Sequence, residues 1–599
     1  MDEASLDPIL DPHALAHLSP TALARNALFA GLSPEELGRL AGRLRYRRAK
    51  KGEILCHEGD PSDAMYIIEA GQVKVYKETA DGRTVLATLG PGTPVGEMAL
   101  LTGEPRSATL IISIDAELWQ LSKSDFDAVL HDYPTIALTF SRVLAQRLML
   151  TDNRRDTEDF SRLVGLVSTP QDAARLAESM ARQSGRQVLL LDLVETGDEC
   201  STIDPADPFH DVTALTERVS RVDVPVEVSS GDFSEIASRL LMRFDHLLVR
   251  LPDQGGPYMT QALDLCDTII IFGQRLGHWL LRSTVPPARI VQVLGPGDPR
   301  YEVDRADREL DRLARRVVRM RVGLALSSGA AHGLAHIGVL RVLVEAGIPI
   351  DMVAGTSMGS LIGGAFVAGN TPDDLYRMGK EFSLVKKFGN WRKFWDFQFP
   401  RSGVVKGNAA KRWIDGWMRG RSFEDLEIPF FVVAAEVLTG RAVTFTSGKL
   451  SEAIRASVSM PGVMQPVLYR DEFLVDGGQV DPVPCSTLAG AGADIIIASN
   501  VIPQVEERAY RSVRMRVGPG RPPTILEIYN SMREIMEAQI AILRMAPYDV
   551  LISPKVGMYS ATEAERLDEF VRLGEEAARS QLAGIQALLT PGTVRAARR

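Results

Sequence analysis

Cysteine is scarce in this chain of 599 residues: Cys56, Cys200, Cys266 and Cys485 stand far apart. Their spacing fits neither a disulfide framework nor a structural metal site, so a reducing compartment is expected. No uncharged apolar run is long enough to span a bilayer, and the opening MDEASLDPILDPHALAHLSP lacks the apolar stretch of a secretory leader. A cytoplasmic protein is expected, one that meets any membrane peripherally on its inner face. Positive charge is short as well. A net charge of −9 argues against a nucleic-acid binder, which needs a basic surface to neutralise phosphates. Histidine is the most telling shortage: there are nine, and His336 is the last, so the remainder of the chain has none.

What is present reads as globular, with 45% hydrophobic and 24% charged residues over a length that needs several folding units. After an N-terminal segment (1–28), residues 29–153 hold runs such as AMYIIEAGQVKVYKE and ATLIISIDAELWQLS. There apolar residues alternate between glycine turns before a helical period takes over, which predicts a small β barrel or jelly roll. From 160 to 303, QVLLLDLV, HLLVRLP and DTIIIFG alternate with amphipathic stretches, the pattern of an α/β layer on a mainly parallel sheet. That layer faintly resembles a partitioning-type ATPase. It has no G-x-x-x-x-G-K-[ST] loop to cradle phosphates, so a spacer or docking role is expected. The arginine-rich stretch 304–321 reads as a solvated linker helix. Residues 322–555 alternate strands and helices again, and 556–599 form a helical tail.

Within the β unit, GEMALLTGEPRSAT (96–109) carries a carboxylate and an arginine at opposite ends of one loop. A cyclic nucleotide needs that pair: Glu97 to accept from the ribose 2′-hydroxyl, and Arg106 to make charge-assisted contacts to the cyclic phosphate. The backbone of Gly96, Glu97, Met98 and Ala99 can turn N–H groups toward the same anion. With KGEILCHEGDPSDAMYIIEAGQVKVY before it, the segment resembles the phosphate-binding cassette of cyclic nucleotide-binding domains. Ser107, where threonine often accompanies cGMP in that family, makes cAMP the expected regulatory ligand. Nothing after the barrel resembles a DNA-reading helix-turn-helix.

Residues 348–370, IPIDMVAGTSMGSLIGGAFVAGN, read as a buried strand, a sharp turn and a helix of small residues. They contain G-x-S-x-G, with Ser357 between Gly355 and Gly359, which suits a nucleophile raised on a strand-to-helix elbow. Upstream, RVGLALSSGAAHGLAHIGVLRVLVEAG is a second strand, loop and helix. Its residues Ser328, Gly329, Ala330, Ala331, His332 and Gly333 can offer backbone N–H groups to an oxyanion. A serine needs a base. With no histidine after residue 336, a Ser–Asp–His order is excluded, and Asp476, followed by two glycines in YRDEFLVDGGQVDPVP, is the carboxylate that remains.

Three motifs in this order resemble the patatin-like phospholipases. RASVSMPGVMQPV (455–467) resembles the segment before the aspartate in their neuropathy target esterase branch, whose members carry cyclic nucleotide domains upstream. The resemblance implies a multidomain protein: a β jelly-roll cyclic nucleotide-binding domain, an α/β middle domain and an α/β patatin-like hydrolase domain. It implies hydrolysis of fatty acyl esters of phospholipids or lysophospholipids by a Ser357–Asp476 dyad, without a metal or catalytic cofactor. The alternative is a catalytically silent patatin fold that signals through its nucleotide domain. The chain departs from the family's G-G-G-x-[RK]-G loop in two places. Ala330 replaces a glycine, which crowds the backbone if a positive φ is required. His332 stands where arginine or lysine is expected, acting either by charge or by orienting the loop. Finally, SLVKKFGNWRKFWDFQFPRSGVVKG (383–407) interleaves Lys386, Lys387, Arg392 and Lys393 with Trp391, Phe394, Trp395, Phe397 and Phe399, which suits a lipid headgroup interface.

Overall fold

The computed structural model describes residues 38–132, 163–194, 212–225, 233–251, 262–273, 290–293, 303–387, 396, 403–503 and 525–590, apart from a few single positions within them. The chain forms two compact units, Met1–Val318 and Arg319–Arg599.

In the first unit, β1 (Arg45–Ala49), β2 (Ile54–Cys56), β3 (Ala64–Thr79), β4 (Gly82–Leu89), β5 (Pro94–Val95) and β6 (Thr109–Ser122) form an antiparallel sheet ordered β1-β6-β3-β4, followed by α1 (Lys123–Asp132). Alternate residues such as Tyr66, Ile68, Leu110 and Ile112 fill its core. The mainly parallel second sheet runs β13-β12-β7-β11-β8-β10-β9. Its elements are β7 (Leu163–Val167), α2 (Pro170–Ser184), β8 (Val188–Val194), β9 (Thr213–Ala214), β10 (Val219–Pro225), α3 (Phe233–Arg243), β11 (His246–Arg250), β12 (Thr268–Phe272), β13 (Ile290–Val293) and α4 (Val303–Val317). Where a nucleotide-binding α/β layer would hold phosphate, the Thr169 hydroxyl caps α2 by accepting from the Asp172 amide, and Asp172 adds negative charge to the first turn. The helix N-terminus is already satisfied and repels anions. Asp115 of β6 ties the two sheets together, because its amide donates to Ser234 of α3 at 3.0 Å and Ser234 donates back to its carboxylate at 3.1 Å.

The helix expected as a solvated linker is α4, and it packs instead. Leu310, Leu313, Ala314 and Val317 are buried, and Asp307 and Asp311 pair with Arg175 and Arg182 of α2. Its arginines occupy one face only, leaving an apolar stripe that must find cover.

The second unit is built on β14 (Val322–Leu326), α5 (Ala335–Glu345), β15 (Met352–Thr356), α6 (Met358–Val367), α7 (Pro372–Lys387), α8 (Asn408–Trp417), β16 (Phe430–Glu436), β17 (Ala442–Phe445), α9 (Leu450–Ser457), β18 (Val467–Tyr469), β19 (Glu472–Asp476), α10 (Cys485–Ala491), β20 (Ile495–Ser499), α11 (Ile525–Arg544), β21 (Val550–Ile552) and α12 (Leu567–Leu589). The sheet runs β18-β19-β16-β15-β14-β20-β21, with β17 on β16, parallel at its centre and antiparallel at the β16–β19–β18 edge. VGLAL and MVAGT are buried at every position, which is why they read as unbroken apolar runs. The expected tail is part of this core: Leu567, Phe570, Val571 and Ala578 of α12 are buried in it. Two glycines make the contact. A Cβ on Gly338 would lie 2.0 Å from the Val571 carbonyl oxygen, and one on Gly574 would lie 2.0 Å from that of Ala335, so α5 and α12 touch backbone to backbone.

Candidate active site

The central strands deliver two loops to the same place. At the end of β15, Ser357 adopts φ 53° and ψ −119°, a strained conformation for a residue with a side chain. Close approach explains the flanking glycines. A Cβ on Gly355 would lie 2.6 Å from the Gly359 backbone, and one on Gly359 would lie 2.2 Å from the Leu326 carbonyl oxygen, so α6 is pressed onto the ends of β14 and β15. The Ser357 hydroxyl donates to Asp476 Oδ2 at 2.6 Å, and both side chains are buried.

Asp476 ends β19, opposite Ala434 of β16. Its Oδ1 accepts the Gly478 amide at 2.9 Å, and its own amide donates to the Ser459 carbonyl at 2.9 Å. The two glycines after it admit close neighbours. A Cβ on Gly477 would lie 2.3 Å from the Val433 carbonyl oxygen, and one on Gly478 would lie 2.8 Å from Glu537 Oε1. Burial raises the Asp476 carboxyl above the usual aspartate range, against the lowering effects of the Ser357 hydroxyl, the Gly478 amide and Arg533. A buried carboxylate that prefers a proton is a better acceptor of one.

The loop after β14 lies beside the elbow: a Cβ on Gly333 would lie 2.4 Å from Met358 Cγ. The Ser328 amide donates to the Pro482 carbonyl at 2.9 Å, that of Ala331 to Ala561 at 3.0 Å, and that of His332 to Gly329 at 3.0 Å. The amides of Gly329 and Ala330 have no acceptor among the described residues. Two adjacent amides left over beside a serine are what an oxyanion requires. Gly329 has φ 153° and Ala330 has φ 49°, so the alanine occupies a left-handed conformation that glycine adopts without strain. His332 is buried, with Nε2 3.0 Å from the Tyr559 carbonyl oxygen and its ring edge-on to Phe570 at 5.6 Å. That placement ties the loop to the segment before α12.

His336, the last histidine, serves the structure. Its Nε2 donates to the Ser327 carbonyl at 3.0 Å, and its Nδ1 then accepts from the Ser499 hydroxyl at 2.8 Å. Complete burial lowers its pKa to about 4, which keeps the ring neutral.

Four further residues support the site without being legible as site residues. Ser457 accepts the Ser357 amide at 2.8 Å, and Ser459 supplies the carbonyl that holds Asp476. Arg455 gathers the carbonyls of Lys406 (2.6 Å), Gly407 (3.1 Å) and Gln465 (3.0 Å) and bonds to Ser459. These three lie in the RASVSMPGVMQPV segment, the one signal that could have found them. Glu537 of α11, which accepts from the Ser328 hydroxyl, has no motif around it.

In the first unit, Arg106 and Glu97 are both buried and Ser107 is exposed. The Arg106 guanidinium donates to the Gly96 carbonyl at 2.9 Å, to Asp63 at 3.0 Å and to the Ala64 carbonyl at 2.5 Å. Gly96, at φ 79°, leaves room for it, since a Cβ there would lie 2.5 Å from the guanidinium. Met98 and Ala99 lie outside the described residues, as do Trp391, Arg392, Lys393, Phe394, Trp395, Phe397 and Phe399 and the side chains of Lys386 and Lys387.

Residues 324–489 match the family model of the patatin-like phospholipases, and residues 46–133 match that of the cyclic nucleotide-binding domain. An uncharacterised NTE family protein of Mycobacterium tuberculosis is 26% identical, over 94% of this chain and 96% of its own length. The lysophospholipase NTE1 of Pyricularia oryzae is 24% identical over 95% of this chain, which spans 44% of that relative. Among solved structures, the catabolite activator protein of Thermus thermophilus is 30% identical over 26% of this chain and 68% of its own, with a TM-score of 0.21.

Proposed function

The chain belongs to the patatin-like phospholipases, in the neuropathy target esterase branch with an N-terminal cyclic nucleotide-binding domain, and is a carboxylic ester hydrolase; from that premise we propose that it cleaves fatty acyl esters of lysophospholipids and phospholipids through Ser357 and Asp476. The observation that carries this reading is the 2.6 Å hydrogen bond from a strained, elbow-mounted serine to a buried carboxylate.

Ser357 Oγ attacks the ester carbonyl carbon while Asp476 takes its proton. The carbonyl oxygen becomes an oxyanion at the Gly329 and Ala330 amides. Asp476 then gives the proton to the departing alcohol, and an acyl-serine remains. Water, deprotonated by Asp476, attacks that ester, and collapse of the second intermediate releases the fatty acid and returns the proton to Ser357. A carboxylate suffices as the base because it bonds to the serine directly and burial has made it more basic.

Two further parts complete the proposal. Cyclic nucleotide, cAMP before cGMP, binds at Gly96–Ser107 with Arg106 on its phosphate and Glu97 on its ribose, and modulates hydrolysis. The protein also works at a lipid surface; among the described residues no helix is long and apolar enough to cross a membrane. The outer face of α11 supports that contact, since Ile528, Met532, Ile535, Met536, Ile542 and Leu543 are all exposed while Glu537, Ala538 and Ala541 face inward.

The test is hydrolysis of a lysophospholipid panel by wild type and Ser357→Ala, with fluorophosphonate labelling and with or without cAMP. Labelling and hydrolysis are both expected to vanish in the variant. Unchanged turnover would refute the site, and rates indifferent to nucleotide would refute the regulation.

A further inference from the structure

Beneath the dyad lies a second buried carboxyl group that the hydrolytic steps do not use. Glu537 is only 4% exposed. One of its oxygens accepts from the Ser328 hydroxyl, and the other is paired with Arg533 Nη1 at 2.8 Å. Gly478 marks its distance from the dyad, because a Cβ there would lie 2.8 Å from Glu537 Oε1, 3.1 Å from Ser328 Oγ and 3.2 Å from Asp476 Oδ1. The absent side chain leaves the two carboxyl groups facing each other, with oxygens within about 6 Å.

We propose that Glu537 is a positioning residue of the hydrolytic site, holding the oxyanion loop through Ser328 and supporting turnover in its protonated form. This rests on the reading of Ser357 and Asp476 as the dyad. The groups facing Glu537 are Arg533 and Glu534 of its own helix, Asp476 from the end of β19, and the Ser328 hydroxyl. Asp476 must be charged to accept the serine proton. Arg533 is the cation beside both carboxyl groups, so a second negative charge is uncompensated next to the loop where the oxyanion forms. Burial is the main cause that pushes the Glu537 carboxyl up to about 7; Asp476 adds to the rise, and Arg533 and the Ser328 hydroxyl oppose it. Protonated, Glu537 donates to Ser328 Oγ and keeps Arg533 on its other oxygen. Ionised, it takes the Ser328 hydrogen and places its charge against the loop. In both states the loop stays attached to α11, but only the first avoids repelling the oxyanion.

Full-length protein is assayed on a water-soluble acyl ester from pH 5 to 9. Wild-type kcat/KM is expected to rise as Asp476 ionises and to fall by about tenfold per pH unit well above the Glu537 ionisation, near pH 7. Glu537→Gln keeps the shape and is expected to lose the alkaline limb, exceeding wild type by more than tenfold at pH 8.5. Glu537→Asp should shift the limb without abolishing it. A wild-type profile flat between pH 6.5 and 8.5 overturns the proposal, as does an unaltered limb in Glu537→Gln that still labels with fluorophosphonate. Failure of the dyad reading looks different: Ser357→Ala would then retain turnover whatever occurs at Glu537.

Discussion

The Ser357 amide donates to the Ser457 hydroxyl at 2.8 Å, and that hydroxyl donates in turn to the Val433 carbonyl at 2.6 Å. The nucleophile's strained backbone is therefore held by a side chain from α9, one hundred residues along the chain. Ser457→Ala leaves a buried amide unpaired, a loss of about 1–3 kcal/mol. If the elbow relaxes by that much, kcat falls by roughly tenfold with little change in KM. Rescue by Ser457→Thr, which restores the hydroxyl, separates loss of this bond from general damage, and equal losses in both variants would count against it.

Asp476→Asn preserves the shape of the dyad but cannot accept the proton. It is expected to lower kcat by roughly 10²–10⁴ while substrate binding persists. Wild-type activity should also fail on acidification at a higher pH than a free aspartate would dictate. Burial raises this carboxyl, and its protonated form has nowhere to place the serine proton. An acid limb in the ordinary aspartate range would show that Asp476 is not the base.

Much of this site is legible in the amino-acid sequence. G-x-S-x-G, D-G-G and the missing histidine specify Ser357 and Asp476 because each is a local backbone demand or a simple absence. The strand and helix periods point to the jelly roll and both α/β layers. What stays hidden depends on contacts between distant segments. The arginine-rich α4 reads as a solvated helix because the pairing of its Asp307 and Asp311 with Arg175 and Arg182 of α2 is a tertiary fact. The α5–α12 crossing rests on two glycines 236 residues apart in sequence number, Gly338 and Gly574, neither with a local signature. Glu537 is a lone glutamate on an amphipathic helix, and only the fold brings it under Ser328.

Ala330, at φ 49°, is a sequence departure that becomes a stability prediction. Left-handed backbone costs a non-glycine residue roughly 1–2 kcal/mol, while glycine gives back about 0.5–1 kcal/mol in chain entropy. Ala330→Gly is expected to raise the thermal midpoint of the second unit by a small, measurable margin. A lowered midpoint would mean that the alanine methyl contributes more in packing than its backbone loses.

Arg106 is engaged with Gly96, Asp63 and Ala64 rather than held free, so a phosphate must compete with two carbonyls and an exposed carboxylate. Asp63→Asn should tighten cAMP binding modestly by removing that competitor, whereas Arg106→Ala should abolish it. Fluorescent cAMP titration checks both. Binding that survives Arg106→Ala would remove the phosphate assignment.

His336 makes the second unit sensitive to acid through folding rather than chemistry. Its folded pKa, lowered to about 4 by burial, lies below the unfolded value of 6.5, so the unfolded chain takes up the proton first as pH falls. The stability tied to this neutral ring is complete above pH 6.5 and is lost progressively down to about pH 4, a total of roughly 3 kcal/mol. His336→Gln should be less stable than wild type at pH 7, having lost an imidazole from between Ser327 and Ser499. It should nevertheless lose less stability between pH 6.5 and 4. Thermal midpoints of the two proteins across that range decide the matter, and parallel curves would assign the acid sensitivity to other groups.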